Sequence, residues 1–157
     1  MENELEVVNI RLVKEPSLYS EKILDSPQAV VELMAKELSQ YDREVFCVLN
    51  MKNNGQVINM NMVSVGSINA SLVIPREVFK SSILANASAI IGLHNHPSGN
   101  VKPSKEDMLV TRKVQQCGQL LGIELLDHII VGGTNEKMFS FREEKMLNVT
   151  GRMELER

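Results

Sequence analysis

The chain has 157 residues, 43% of them hydrophobic and 24% charged, a balance that suits one compact globular domain with a core of its own. Its net charge of −3 lacks the basic excess of a protein that lives on phosphate contacts, which argues against direct nucleic-acid binding. Two cysteines, Cys47 and Cys117, neither in a Cys-x-x-Cys pair, exclude a disulfide framework and argue against a thiolate zinc site.

The start, Met1-Glu2-Asn3-Glu4, is acidic and no long apolar run follows, so neither a secretory leader nor a membrane span is expected, and the expected compartment is the cytoplasm. Residues 5–13 are rich in β-branched side chains and read as a strand or an extended arm; residues 1–25 as a whole read as an N-terminal arm ahead of the domain. Ser26-Pro27 is a helix start, a capping hydroxyl followed by proline at the first helical position. Val30, Val31, Met34, Leu38 and Tyr41 follow at helical spacing.

Residues 45–49 are continuously apolar and read as a buried strand, with Cys47 as a small hydrophobe inside it. Asn53-Asn54-Gly55 is a hairpin signal, and residues 57–65 return as the next strand. Pro75-Arg76-Glu77 opens a helix to about Ala85, and residues 89–93 form another buried strand that ends at His94. After a loop with Pro97, Gly99 and Pro103, a long helix runs over 104–121 and stops at Gly122. Residues 123–131 read as a strand, Gly132-Gly133-Thr134-Asn135 as a turn and residues 138–141 as a short last strand. The domain spans 26–147, and 148–157 read as a flexible tail. Alternating strands and helices predict an α/β layered domain, and the hairpin makes its sheet mixed.

The informative segment is His94-Asn95-His96-Pro97-Ser98-Gly99, followed by Pro103-Ser104 and Asp107. Alternate positions on a strand point the same way, so His94 and His96 can converge on one point, and the Pro/Gly loop can fold Asp107 back toward them. Two imidazoles and a carboxylate are an open zinc set that leaves a position for water, whose pKa falls toward ~7 on the metal. The competing reading makes Ser104-x-x-Asp107 a capping arrangement, with Ser104 as N-cap and Asp107 favoured by the helix dipole. The two readings compete for Asp107, whose carboxylate would have to face a metal or fold back on the cap.

His-x-His, seven residues, Ser, two residues, Asp resembles the signature of the JAMM (MPN+) metalloprotease family, and His94, His96, Ser104 and Asp107 match every specified position. The wider string through Gly99, together with Leu126-Asp127-His128-Ile129-Ile130-Val131-Gly132 and Pro75-Arg76-Glu77-Val78-Phe79-Lys80, is similar to the RadC branch of that family in bacteria. The resemblance covers roughly residues 26–141. It implies a three-layer α/β/α, cytidine-deaminase-like (JAB/MPN) fold with a mixed sheet. It implies one zinc ion held by His94, His96, Asp107 and water, with Ser104 supporting the bound water or the developing oxyanion. It also implies an upstream glutamate as general acid/base, standing where a helix hands over to the first core strand. Arg43-Glu44-Val45 occupies that place, so Glu44 is the choice and Glu77, in the first turn of a helix, the runner-up. Glu77 otherwise reads as a surface carboxylate favoured by the helix dipole, and Glu44 as a solvated residue before a strand.

His128 reads as a packed or hydrogen-bonded histidine on a strand, or as a partner that orients a ligand, and Asp127 is open in the same way. His-Glu-x-x-His is absent, as is the deaminase pattern with its Pro-Cys-x-x-Cys, so the fold does not bring deaminase chemistry with it. Longer RadC relatives carry an N-terminal helix-hairpin-helix module for which the residues ahead of the domain leave no room. The leading expectation is therefore a zinc metallopeptidase or isopeptidase acting on a peptide or protein amide of unknown identity. A non-enzymatic zinc-binding accessory factor of DNA repair or recombination, and a plain scaffold in which the histidines only satisfy the core, are the alternatives. The sequence carries no code for the substrate or the oligomeric state.

Overall fold

The computed structural model describes residues 3–68 and 73–147; the tail reading over 148–157 lies outside the described residues. Helix α1 (Pro27–Leu38) begins where Ser26 Oγ accepts the Ala29 N–H, with proline in the first turn as the sequence suggests. Strands β1 (Val45–Met51) and β2 (Val57–Val65) are joined by a tight turn in which Gly55 takes φ +85° and its N–H donates to Lys52 O. Helix α2 is Pro75–Leu84 and strand β3 is Ala89–His96. Helix α3 (Lys105–Leu121) is closed by Gly122 in the left-handed conformation; strands β4 (Glu124–Gly132) and β5 (Met138–Ser140) follow. Strand β3 runs on to His96, past the expected end at His94, so both histidines of the motif belong to it.

The sheet order is β2-β1-β3-β4-β5. Only β3 and β4 are parallel; β1 pairs antiparallel with both β2 and β3, and β5 antiparallel with β4. The three layers come from alternation along the central strands. Val45, Cys47, Leu49 and Met51 of β1 and Ala89, Ile91 and Leu93 of β3 pack with Val31, Met34 and Leu38 of α1. Phe46, Val48 and Ile90 point to the other face and pack with Val78 and Phe79 of α2 and Val110 and Val114 of α3. This is the mixed-sheet α/β/α architecture that the resemblance implies. Cys47 is fully buried, and burial pushes its thiol up to about 12, as befits a small hydrophobe. No strand forms over residues 5–13: they have neither helix nor ladder, and Leu5, Val7, Val8, Ile10 and Val13 stand exposed. Among the described residues no helix is long and apolar enough to cross a membrane.

One glycine fixes how α3 meets β4. A Cβ on Gly118 would overlap the Ile123 carbonyl oxygen, which is itself tied to the chain through the Ile123 N–H to Gly118 O bond at 2.9 Å. Alanine would gain about 1 kcal/mol of helix propensity, but a backbone atom cannot rotate away. Gly118→Ala is therefore expected to lower stability by roughly 1–3 kcal/mol, as overpacking does, seen as a lower urea midpoint. A raised midpoint would mean that α3 slides freely on the sheet.

Candidate metal centre

His94 and His96 stand at the C-terminal end of β3, where its parallel pairing with β4 places His94 beside Ile130 and His96 beside Gly132. Crevices beyond the carboxyl ends of such strands are where α/β sheets hold ligands. The loop after β3 turns back because the Gly99 N–H donates to His96 O at 2.9 Å, with Gly99 at φ +83°. Asn135 Nδ2 braces it by donating to Gly99 O at 2.8 Å. Gly132 makes room for this approach, since a Cβ there would come within 2.8 Å of Gly99 O and 2.5 Å of Asn135 Oδ1.

His94, His96 and Asp107 are all buried, and their ligand atoms lie within 4.8 Å of one another. His94 Nε2 is 3.0 Å from His96 Nε2. Asp107 Oδ1 is 3.1 Å from His94 Nε2, and Oδ2 is 3.1 Å from His96 Nε2. His96 Nδ1 is 2.7 Å from the Asn100 carbonyl, which can only accept, so the ring proton sits there and the Nε2 lone pair turns to the centre. Imidazole and carboxylate donors that crowd this closely out of water suit a cation between them. The residues therefore fit a metal ion.

The expected contest over Asp107 does not occur. Asp107 closes a full capping box: Ser104 Oγ accepts the Asp107 N–H at 3.0 Å, and Asp107 Oδ2 accepts the Ser104 N–H at 2.8 Å. The same carboxylate faces both histidines, because its two oxygens accept about four hydrogen bonds and need not choose. The cap thus aims the carboxylate at the centre. Burial by itself would raise the Asp107 carboxyl, but the contacts with the two rings and the Ser104 N–H hold it well below the usual carboxylate range. The Asp107 contact in turn raises His96, against the opposing effect of burial.

Glu44 lies at the rim, its side chain 30% exposed, with Oε1 3.8 Å from His96 Nε2. Oε2 accepts the Ile68 N–H at 2.9 Å. Glu77 is instead paired with Lys80 at 2.8 Å on α2, and that hydrogen bond lowers its carboxyl; the surface reading of Glu77 describes it. Asp127 braces β4 to β5, accepting from Ser140 Oγ at 2.5 Å and from the Arg142 N–H at 3.0 Å. Its burial raises the carboxyl, and it takes no part in the cluster. His128 is buried with Nε2 2.7 Å from His94 Nδ1, beside Thr111 of α3. Burial holds this ring well below the ordinary imidazole value.

Sequence reasoning missed Asn95. Between the two histidines, it points to the opposite face and clamps β1 on both sides of Glu44. Asn95 Oδ1 accepts the Val45 N–H at 2.7 Å, and Nδ2 donates to Arg43 O at 2.9 Å. A polar residue inside an apolar strand was the available signal. Asn95→Ala is expected to cost roughly 1–3 kcal/mol, because the Val45 N–H loses its partner in a dry site. Hydrogen exchange at the Val45 amide should accelerate; unchanged protection would show that another acceptor takes over.

Comparison with known proteins agrees with this geometry. Residues 24–146 match the family model for a RadC-like JAB domain. A UPF0758 protein of Desulfitobacterium hafniense is 46% identical over 125 residues, covering 80% of this chain and 54% of the relative. UPF0758 proteins of Staphylococcus carnosus, 46% identical over 117 residues, and of Methanosarcina mazei, 45% over 109, cover 74% and 69% of this chain and 52% and 48% of those relatives. The chain thus spans about half the length of the curated relatives it matches. A family match that takes in β3, α3 and every residue of the buried cluster leaves one assignment: this chain belongs to the RadC-like JAB domain family.

Proposed function

We propose that the chain is a zinc-dependent amide hydrolase, a metallopeptidase or isopeptidase, with His94, His96 and Asp107 as ligands of one zinc ion. The observation that carries this reading is the buried convergence of those three side chains with a half-anchored carboxylate, Glu44, beside them. Zinc in an open three-ligand set makes water acidic enough to ionise near neutral pH and polarises a carbonyl.

Glu44 manages the proton. With Oε2 held by the Ile68 N–H, Oε1 is left to take a proton from water and return it to the leaving amine. Ser104 serves the oxyanion. Its Oγ accepts the Asp107 N–H, and its own O–H remains to donate to the tetrahedral oxygen. A peptide bond and an amide on a lysine side chain present the same reacting atoms, so both are substrates to try.

The test is a panel of peptides and lysine isopeptides offered to the zinc-loaded chain, the chelated chain and Glu44→Gln. Cleavage by the zinc-loaded wild type alone supports the reading. Stoichiometric zinc with no Glu44-dependent cleavage across the panel would favour the accessory role instead.

A further inference from the structure

Behind the centre lies a line of buried polar groups that the proposed reaction leaves unused. Thr111 Oγ1 donates to the Asp107 backbone carbonyl at 2.8 Å and sits 2.5 Å from His128 Nδ1. His128 Nε2 is 2.7 Å from His94 Nδ1, and His94 Nε2 faces the centre. Thr111, His128 and His94 are 3%, 1% and 0% exposed, so each proton in the line must find its partner within it. The His128 ring is clamped between the face of Phe141, parallel at 4.8 Å, and Phe46, in a T-shaped contact at 5.5 Å. Gly92 keeps the space open: a Cβ there would lie 3.1 Å from Phe46 and 3.6 Å from His128.

Donor and acceptor roles follow along the line. A threonine hydroxyl has one proton, and the Asp107 carbonyl can only accept it. Thr111 Oγ1 then accepts from His128, which puts the His128 proton on Nδ1. His128 Nε2 is left as an acceptor, so His94 must donate from Nδ1. His94 Nε2 then carries a lone pair toward the centre.

Resting on the metal reading above, we propose that Thr111 and His128 are positioning residues that lock His94 in its Nδ1–H form and hold its Nε2 lone pair on the metal. Asp107 both ligates through its carboxylate and, through its own backbone carbonyl, starts the line that orients His94. The ligand on α3 and the ligand on β3 are thereby set by one proton arrangement.

Thr111→Val keeps the shape of the side chain and removes the hydroxyl. His128 Nδ1 loses its acceptor, its proton moves to Nε2, and two N–H groups then meet where His94 and His128 are 2.7 Å apart. The test is zinc affinity by competition with a chromophoric chelator, for wild type, Thr111→Val and Thr111→Ser. Histidine side-chain 15N spectra of the zinc-loaded proteins are recorded alongside. Thr111→Val should bind zinc roughly 10–100-fold more weakly, the usual cost of losing a group that supports a ligand, while Thr111→Ser, with its hydroxyl restored, stays near wild type. His128 in the zinc-loaded wild type should show a protonated Nδ1 and a bare Nε2. Equal zinc affinity in Thr111→Val, or a protonated Nε2 on His128 of the loaded wild type, overturns the relay while leaving the metal centre standing. A wild type that takes up no zinc overturns the metal reading, and the relay with it.

Discussion

Asp107→Ala should abolish stoichiometric zinc uptake. The carboxylate is one of the three buried groups proposed to hold the ion and the one that sits between both rings, 3.1 Å from each Nε2. Its removal must weaken binding by more than the roughly 10–100-fold that follows loss of a merely supporting residue. Thermal melting reports this without a substrate. Zinc at about 100 times its Kd stabilises the wild type by about 2.7 kcal/mol, which for a domain of this size is a rise in Tm of roughly 5–10 °C. Asp107→Ala should show no rise. It should also melt lower without metal, because the Ser104 N–H and the two rings lose their common acceptor. In the metal-free wild type the depressed carboxyl of Asp107 contributes stability fully present above the ordinary carboxylate range, lost only as the pH falls through and below it. A variant that still gains several degrees with zinc would place the ion elsewhere.

Glu44→Gln should separate chemistry from binding. Glutamine keeps an oxygen for the Ile68 N–H, so the anchor at the rim survives. It cannot take a proton from water, and loss of a general base costs typically 10²–10⁴ in rate. Zinc uptake and Tm should stay near wild type while turnover of any substrate found in the panel falls by that factor. Turnover within about threefold of wild type would remove Glu44 from the mechanism and leave water itself as the proton carrier.

Much of this was legible in the sequence. Ser26-Pro27, Asn54-Gly55, Pro75 and Gly122 mark element ends by local backbone chemistry, and the structure places ends there. The alternation rule was enough to bring His94 and His96 to one side of a strand. Residues 5–13 read as a strand or an extended arm because they have the composition of a strand; a strand also needs a partner edge, which composition does not supply, and no strand forms there. The contest over Asp107 arose from treating its side chain as a single valency; only three dimensions show its two oxygens serving the cap and the histidines together. The roles of Thr111 and Asn95 were not legible because their partners lie 17 and 50 residues away. A polar Asn inside an apolar strand signals that some partner is needed but not which one, and a helical Thr signals not even that.

The adjacency of His94, Asn95 and His96 on a single strand has a mechanical consequence. Any sliding or flexing of β3 carries the imidazole pair in one direction, and the Asn95 amide drags the backbone on either side of Glu44 along with it. The two imidazoles and Glu44, the proposed proton carrier, therefore ride on a common mount, whereas Asp107 reaches the cluster from α3. A shift of β3 thus moves these three groups together and is felt as a change in their distance to the Asp107 carboxylate.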